Sequence, residues 1–136
     1  MARIMAFDVG RVRIGVAVTD PMQMIATGLT TVNASEIMTF VSDYLKQESV
    51  ERFIVGLPRQ MDGTDSESMF FVQKMIQNLK QKFPHIPVEQ EDERFTSKLA
   101  QRVILESGIG KKKRQNKALL DQISATIILQ SYLENR

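Results

Sequence analysis

The first eighteen residues constrain the fold more tightly than any other stretch of the chain. Residues 2–7 form an almost wholly apolar strand that runs into Asp8-Val9-Gly10, and a second strand of the same character, 13–18, begins five residues after Asp8. Strands this apolar are covered on both faces of a sheet. A carboxylate where the first one stops is therefore costly. It must be ionised beside a partner, neutral, or at a solvated strand tip. A divalent metal or a phosphate is the partner chemistry often built at such a point, and Gly10, without Cβ, lets backbone or ligand come close. A turn-forming Asp beside a hairpin Gly explains the same three residues equally well.

The length, 136 residues, suits one domain spanning 1–136. Hydrophobic and charged fractions of 43% and 25% are those of an ordinary globular protein. No apolar run approaches the ~20 residues of a membrane span, and the N-terminus lacks the pattern of a secretion signal. A cytoplasmic protein with no membrane partner is expected. With no cysteine and one histidine, His85, thiolate and His-rich metal sites are excluded. Any metal must be held by carboxylates, which points to Mg²⁺ or Mn²⁺. The net charge is only +2, yet the charges are segregated. Glu89, Glu91, Asp92 and Glu93 are four acids in five residues, whereas Lys111, Lys112, Lys113, Arg114 and Lys117 are five bases in seven. Each run alone reads as solvated surface; together they suit a metal-dependent enzyme acting on polyanions.

Periodicity supplies the remaining elements. A third strand near 28–32 completes an antiparallel meander. Ser35 caps a helix to about Gln47, with Ile37, Phe40, Val41, Tyr44 and Leu45 as its apolar stripe. Residues 53–58 are an apolar strand stopped by Pro58, and a polar loop follows over 59–65. Ser66 opens a helix to about Phe83 that buries Phe70, Val72, Met75, Ile76 and Leu79. Residues 88–94 read as an edge strand. Thr96 or Ser97 caps a helix through Ser107, Gly108 stops it, and a last helix covers about 117–133. The eight methionines read as adaptable core filling. The order argues a mixed α/β sheet with helices on both faces.

Two further acids lie where ligands bind in such sheets. Asp92 and Glu93 end the edge strand, and alternation lets only one of them face Asp8, without saying which. Asp121 sits in the last helix beside Ser124 and Ala125, whose small side chains let that helix approach the sheet. A solvated Asp near a helix N-terminus is the simpler account of Asp121. Carboxylates from a first strand, a later strand and a final helix are what two-metal phosphodiester hydrolysis requires.

The chain resembles the YqgF/RuvX family of RNase H-like nucleases, described both as Holliday junction resolvases and as nucleases maturing the small-subunit ribosomal RNA precursor. The resemblance runs over residues 3–133. It is carried by Asp8-Val9-Gly10 with Arg13-Ile14-Gly15-Val16-Ala17-Val18 and Asp20-Pro21, then by Val55-Gly56-Leu57-Pro58 with Met61-Asp62-Gly63-Thr64. Asp92-Glu93-Arg94-Phe95-Thr96-Ser97, Gly108-Ile109 before the lysines, and Asp121-Gln122 complete it. Arg11-Val12 and Arg59-Gln60 depart from the family's usual residues. The resemblance implies a five-stranded RNase H-like sheet of order 3-2-1-4-5 with strand 2 antiparallel. It also implies an acidic site of Asp8, Glu93 and Asp121, selecting Glu93 over Asp92.

The function expected is that of a metal-dependent nuclease processing the 5′ end of pre-16S ribosomal RNA. Asp8, Glu93 and Asp121 would hold two Mg²⁺ or Mn²⁺ ions, and Arg13 and Arg94 would balance the acids or hold the scissile phosphate. Lys111, Lys112, Lys113 and Arg114 would clamp the substrate. RNA is favoured over branched DNA and a monomer over a dimer, because no helix shows an apolar stripe beyond the one that covers the sheet. The alternatives are a dimeric Holliday junction resolvase, a non-catalytic nucleic-acid binder, and a kinase of the actin-like group. The kinase would need a second domain and a second phosphate loop that this chain lacks.

Overall fold

The computed structural model describes residues 2–57, 67–92 and 117–136, with side chains from 69 to 91 and from 120 onward in the last two segments. Five strands, β1 (Arg3–Val9), β2 (Arg13–Thr19), β3 (Ala26–Asn33), β4 (Val50–Leu57) and β5 (Val88–Asp92), form one sheet in the order β3-β2-β1-β4-β5. Strand β2 is antiparallel to both neighbours, while β4 is parallel to β1 and β5 to β4. The expected order and directions are those observed, with β5 at an edge.

Helices α1 (Ile37–Gln47) and α2 (Glu67–Lys82) cover one face, and α3 (Lys117–Asn135) covers the other. The first face is filled by large side chains. Phe7, Phe53 and Phe83 make a continuous aromatic row, with ring centroids 5.7 and 5.9 Å apart, and Val41, Val72 and Leu79 close over it. The second face is shallower: Ile4, Ala6, Ala17 and Ile54 lie against Ala125, Ile128 and Leu129. Among the described residues no helix is long and apolar enough to cross a membrane.

Several expectations need correction. Strand β1 continues through Asp8 to Val9 because Gly10 N–H donates to the Arg13 carbonyl at 2.9 Å, closing the hairpin one step later. Ser35 is no cap. It lies inside a 3-10 turn, Ala34–Glu36, and no side chain caps the start of α1. Ala34 N–H instead donates to the Val12 carbonyl at 2.8 Å, tying that turn to the hairpin. Phe70 is 64% exposed, not buried. It lies two residues from Val72, about 200° around a helix, and so points away from the buried stripe.

The methionines divide. Met5 and Met75 fill the core, but Met22 and Met24 are 58% and 67% exposed on the β2–β3 turn. That turn is built on Asp20, whose carboxylate accepts the N–H groups of Ile25, Met24 and Met22 at 2.8, 2.9 and 3.1 Å. Those bonds, led by the one from Ile25, hold the Asp20 carboxyl below its ordinary pKa. The 59–65 loop, the caps Ser66, Thr96 and Ser97, the helix expected to reach Ser107, and the basic segment 111–114 lie outside the described residues.

Candidate active site

Alternation along β1 places Asp8 on the α3 face, following Ile4 and Ala6, which both pack in that cluster. Across the ladder Asp8 stands opposite Gly15 of β2. Gly15 is where α3 touches down: a Cβ built on it would lie 1.9 Å from the Asp121 carbonyl oxygen and 2.4 Å from its carbonyl carbon. The helix main chain thus rests on the one position of β2 with no side chain. Opposed residues in an antiparallel pair have Cα atoms roughly 4.5–5.5 Å apart, so Gly15 has Asp8 beside it in the ladder and the Asp121 main chain above it.

Ser124 and Ala125 explain this approach only in part. Ala125 is fully buried against the sheet, but Ser124 is half-exposed. The space comes mostly from the strands, at Gly15 and at Gly28, where a Cβ would lie 3.0 Å from Thr126 Oγ1. Gly15 is the positioning residue that the reading of acids and bases missed. Its signal was available: a glycine inside a continuous apolar strand marks close approach of another backbone.

Asp121 is paired. Arg13, on the same face of β2, donates from Nε to Asp121 Oδ2 at 2.9 Å, with side chains 40% and 26% exposed. At that exposure the pair contributes no more than about 1 kcal/mol. Its larger effect is to orient the carboxylate and offset its charge. Asp8 is half-buried and engaged in its own interactions.

The acidic run at 89–93 does not act as one block. Glu89 accepts from Arg52 Nη1 at 2.8 Å and from the Tyr132 hydroxyl at 2.5 Å, and that hydroxyl accepts from Arg52 in turn. The hydrogen bond from Tyr132, then the Arg52 guanidinium, holds the Glu89 carboxyl below its ordinary pKa, whereas burial raises that of Tyr132. Glu91 accepts from Ser131 Oγ at 3.0 Å. Both acids therefore fasten the C-terminal half of α3 to the edge strand. The Asp92 side chain, Glu93, Arg94, Lys111, Lys112, Lys113 and Arg114 lie outside the described residues. Among the described residues no three His, Cys, Asp or Glu side chains gather into a metal-holding group. His85 is exposed in the α2–β5 turn.

Asp8 and Asp121 are hard oxygen donors at the C-terminal end of β1, where open α/β sheets bind ligands. A family model described as RuvX, Holliday junction resolvase, matches residues 2–135. The chain belongs to the RuvX family. A relative from Bacteroides fragilis, provisionally named a pre-16S rRNA nuclease, is 58% identical over 136 residues, covering 100% of this chain and 99% of that one. One of the same name from Porphyromonas gingivalis is 56% identical over 135 residues, covering 99% and 98%. Among solved structures, Thermus thermophilus RuvC superposes with a TM-score of 0.59 at 12% identity, covering 97% of this chain and 96% of that one. RuvC in complex with a Holliday junction substrate gives 0.58 at 14%, covering 98% and 96%. At these identities the likeness is one of fold, and with the strand order it gives the RNase H-like architecture.

Proposed function

We propose that this chain is a divalent-metal-dependent nuclease that hydrolyses phosphodiester bonds in the small-subunit ribosomal RNA precursor, at its 5′ end. The relatives' names support the substrate. The observation that carries the chemistry is that Gly15 has Asp8 opposite it in the ladder and the Asp121 main chain resting on it. Glu89 and Glu91 both reach α3, and their parity carried one step on supports Glu93 rather than Asp92 as the third acid.

Three carboxylates and no thiolate or imidazole fit Mg²⁺ or Mn²⁺, held by Asp8, Glu93 and Asp121. When bound, a pair of such ions supplies an activated water and charge stabilisation at the departing oxygen. Arg13 keeps Asp121 in register through one N–H and has others to offer a phosphate. Arg94, Lys111, Lys112, Lys113 and Arg114 grip the backbone of the substrate without regard to sequence. A ribosomal RNA substrate places this work in the cytoplasm, and a monomer suffices for it. Resolution of branched DNA by a dimer is the second reading, favoured by the family's description.

The deciding experiment compares labelled precursor RNA, single-stranded RNA, duplex and four-way junction, cleaved by the wild type and by Asp8→Asn with Mg²⁺ or Mn²⁺. Precursor RNA should be cut only by the wild type and only with metal. Asp8→Asn should hold its unfolding free energy within about 1 kcal/mol. Cleavage that survives in Asp8→Asn removes the acidic site from the chemistry. Paired symmetric nicks in the junction move the substrate to DNA and leave the metal chemistry standing. Binding with no cleavage under any metal leaves a nucleic-acid binder.

A further inference from the structure

The residues that follow Asp8 line a second feature. On the α1/α2 side of the sheet, directly behind the carboxylates, lies a cavity of about 220 Å³ bordered by Val9 and Gly10. Consecutive strand residues point to opposite faces, so cavity and acidic site stand back to back at one strand end. At that end lies the tip of the β1–β2 hairpin, where Arg11 and Val12 are exposed.

The cavity is built in two parts. Ile14, Ile37 and Met75 make an apolar floor, Phe71 forms a wall, and Arg11 and Lys74 bring two cations to it. No acid is among the described residues that line it. Beside it the ring of Phe70 stands edge-on to Phe71 at 5.4 Å and is 64% exposed. Its volume lies below the roughly 300–1,000 Å³ of drug-sized ligand sites, on the scale of a single nucleobase. Aromatic rings beside a cationic rim are the combination that holds single-stranded nucleic acid, the rings stacking bases and the cations meeting phosphates.

We infer that this cavity is a nucleotide subsite, taking one unstacked base of the substrate strand against Phe71 and Phe70 and an adjoining phosphate between Arg11 and Lys74. The inference rests on the proposed nuclease reading and deepens it: the strand crosses the hairpin tip, one nucleotide is held behind the sheet, and the bond to be cut lies in front. An unstacked base is available in single-stranded RNA and not inside a duplex, so the subsite selects unpaired substrate.

The test is equilibrium binding without divalent metal, which reads the subsite whether or not the carboxylates cut. A short single-stranded RNA is compared with a base-free chain of the same length and with an RNA duplex. The wild type should bind the RNA about five- to 150-fold more tightly than the base-free chain. Phe70→Ala with Phe71→Leu should abolish that preference, with the small loss of melting temperature that trimming the partly buried Phe71 brings and no loss of folded structure at the assay temperature. Arg11→Ala with Lys74→Ala should retain the preference and flatten the slope of log affinity against log salt by about 0.7, one phosphate contact on a single strand. An equal affinity of the wild type for RNA and base-free chain, equal binding of the duplex, or an unchanged salt slope in the Arg11/Lys74 variant would overturn the subsite. Cleavage by Asp8→Asn, measured separately, bears on the nuclease reading alone.

Discussion

The two faces of the sheet are held by different physics. Behind, Phe7, Phe53 and Phe83 and the apolar stripes of α1 and α2 bury large side chains, and stabilisation follows the area they remove from water. In front, Ala6, Gly15, Ala17 and Gly28 offer almost no side-chain volume, and α3 comes down onto main chain. The first arrangement stabilises the fold and tolerates modest repacking. The second contributes less burial, but it fixes where Asp121 sits relative to Asp8. A thick face makes the fold stable, and a thin one makes the site accurate.

Substitutions can break that contrast. Phe53→Ala, at the centre of the aromatic row, should lower unfolding free energy by about 3–5 kcal/mol, while the remaining folded fraction cleaves at the normal rate. Denaturant titration beside active-fraction kinetics reads both quantities. Gly15→Ala should do the reverse. Its methyl group meets the Asp121 carbonyl, so α3 must shift at a cost of about 1–3 kcal/mol. A displacement of an ångström at the carboxylates should slow cleavage on the order of 100-fold. If the Gly15→Ala rate fell only in proportion to the unfolded fraction, the front face would be no more exacting than the back.

Arg13→Gln sharpens the comparison within the front face. It removes a half-exposed ion pair, so the metal-free protein should lose less than about 1 kcal/mol. Asp121 then depends more on a divalent ion for its counter-charge, and added Mg²⁺ should raise the melting temperature more than it does in the wild type. Equal Mg²⁺ responses would argue that Arg13 and metal do not share Asp121.

A pH titration gives the smallest signal. The folded pKa of Glu89 is depressed by the Tyr132 hydrogen bond and Arg52, so its stabilisation is present above the ordinary value of 4.5 and is lost as pH falls through the lower folded value. Tyr132 is raised by burial, so its share is present below 10.0 and is lost as pH rises past it. Glu89→Gln should flatten the acid limb of the melting curve and leave cleavage at neutral pH unchanged. Loss of cleavage in that variant would mean that the α3 anchor at the edge strand also sets the site.

Much of this was readable from the residues because strand periodicity and apolar content leave few topologies for a chain opening on two buried strands. The sheet order followed from the resemblance and is what the structure shows. What escaped was local or relational. Ser35 has the chemistry of a cap, yet the bond between Ala34 and Val12 sets the geometry there, a long-range tie that no local rule contains. Phe70 is apolar on an amphipathic helix, and only the true phase of the stripe shows it outside. Four acids in five residues suggested one locus, but Glu89 and Glu91 are committed to Tyr132 and Ser131, partners 43 and 40 residues away. Gly15 was in view as part of a motif; its role depends on what lies above it.

Asp8 belongs to the first strand, whereas Asp121 lies in α3, 113 residues further along the chain. At about 5–20 residues per second of synthesis, roughly 6–23 seconds pass between one carboxylate and the other. Throughout that interval the growing polypeptide has its first acid, its meander and the glycine on which α3 will rest, but no Asp121 to set beside Asp8. Under the proposed reading, in which cutting needs both carboxylates, a nuclease for a ribosomal RNA precursor is inert while it is being made beside ribosomal RNA, and its competence to cut arrives with α3.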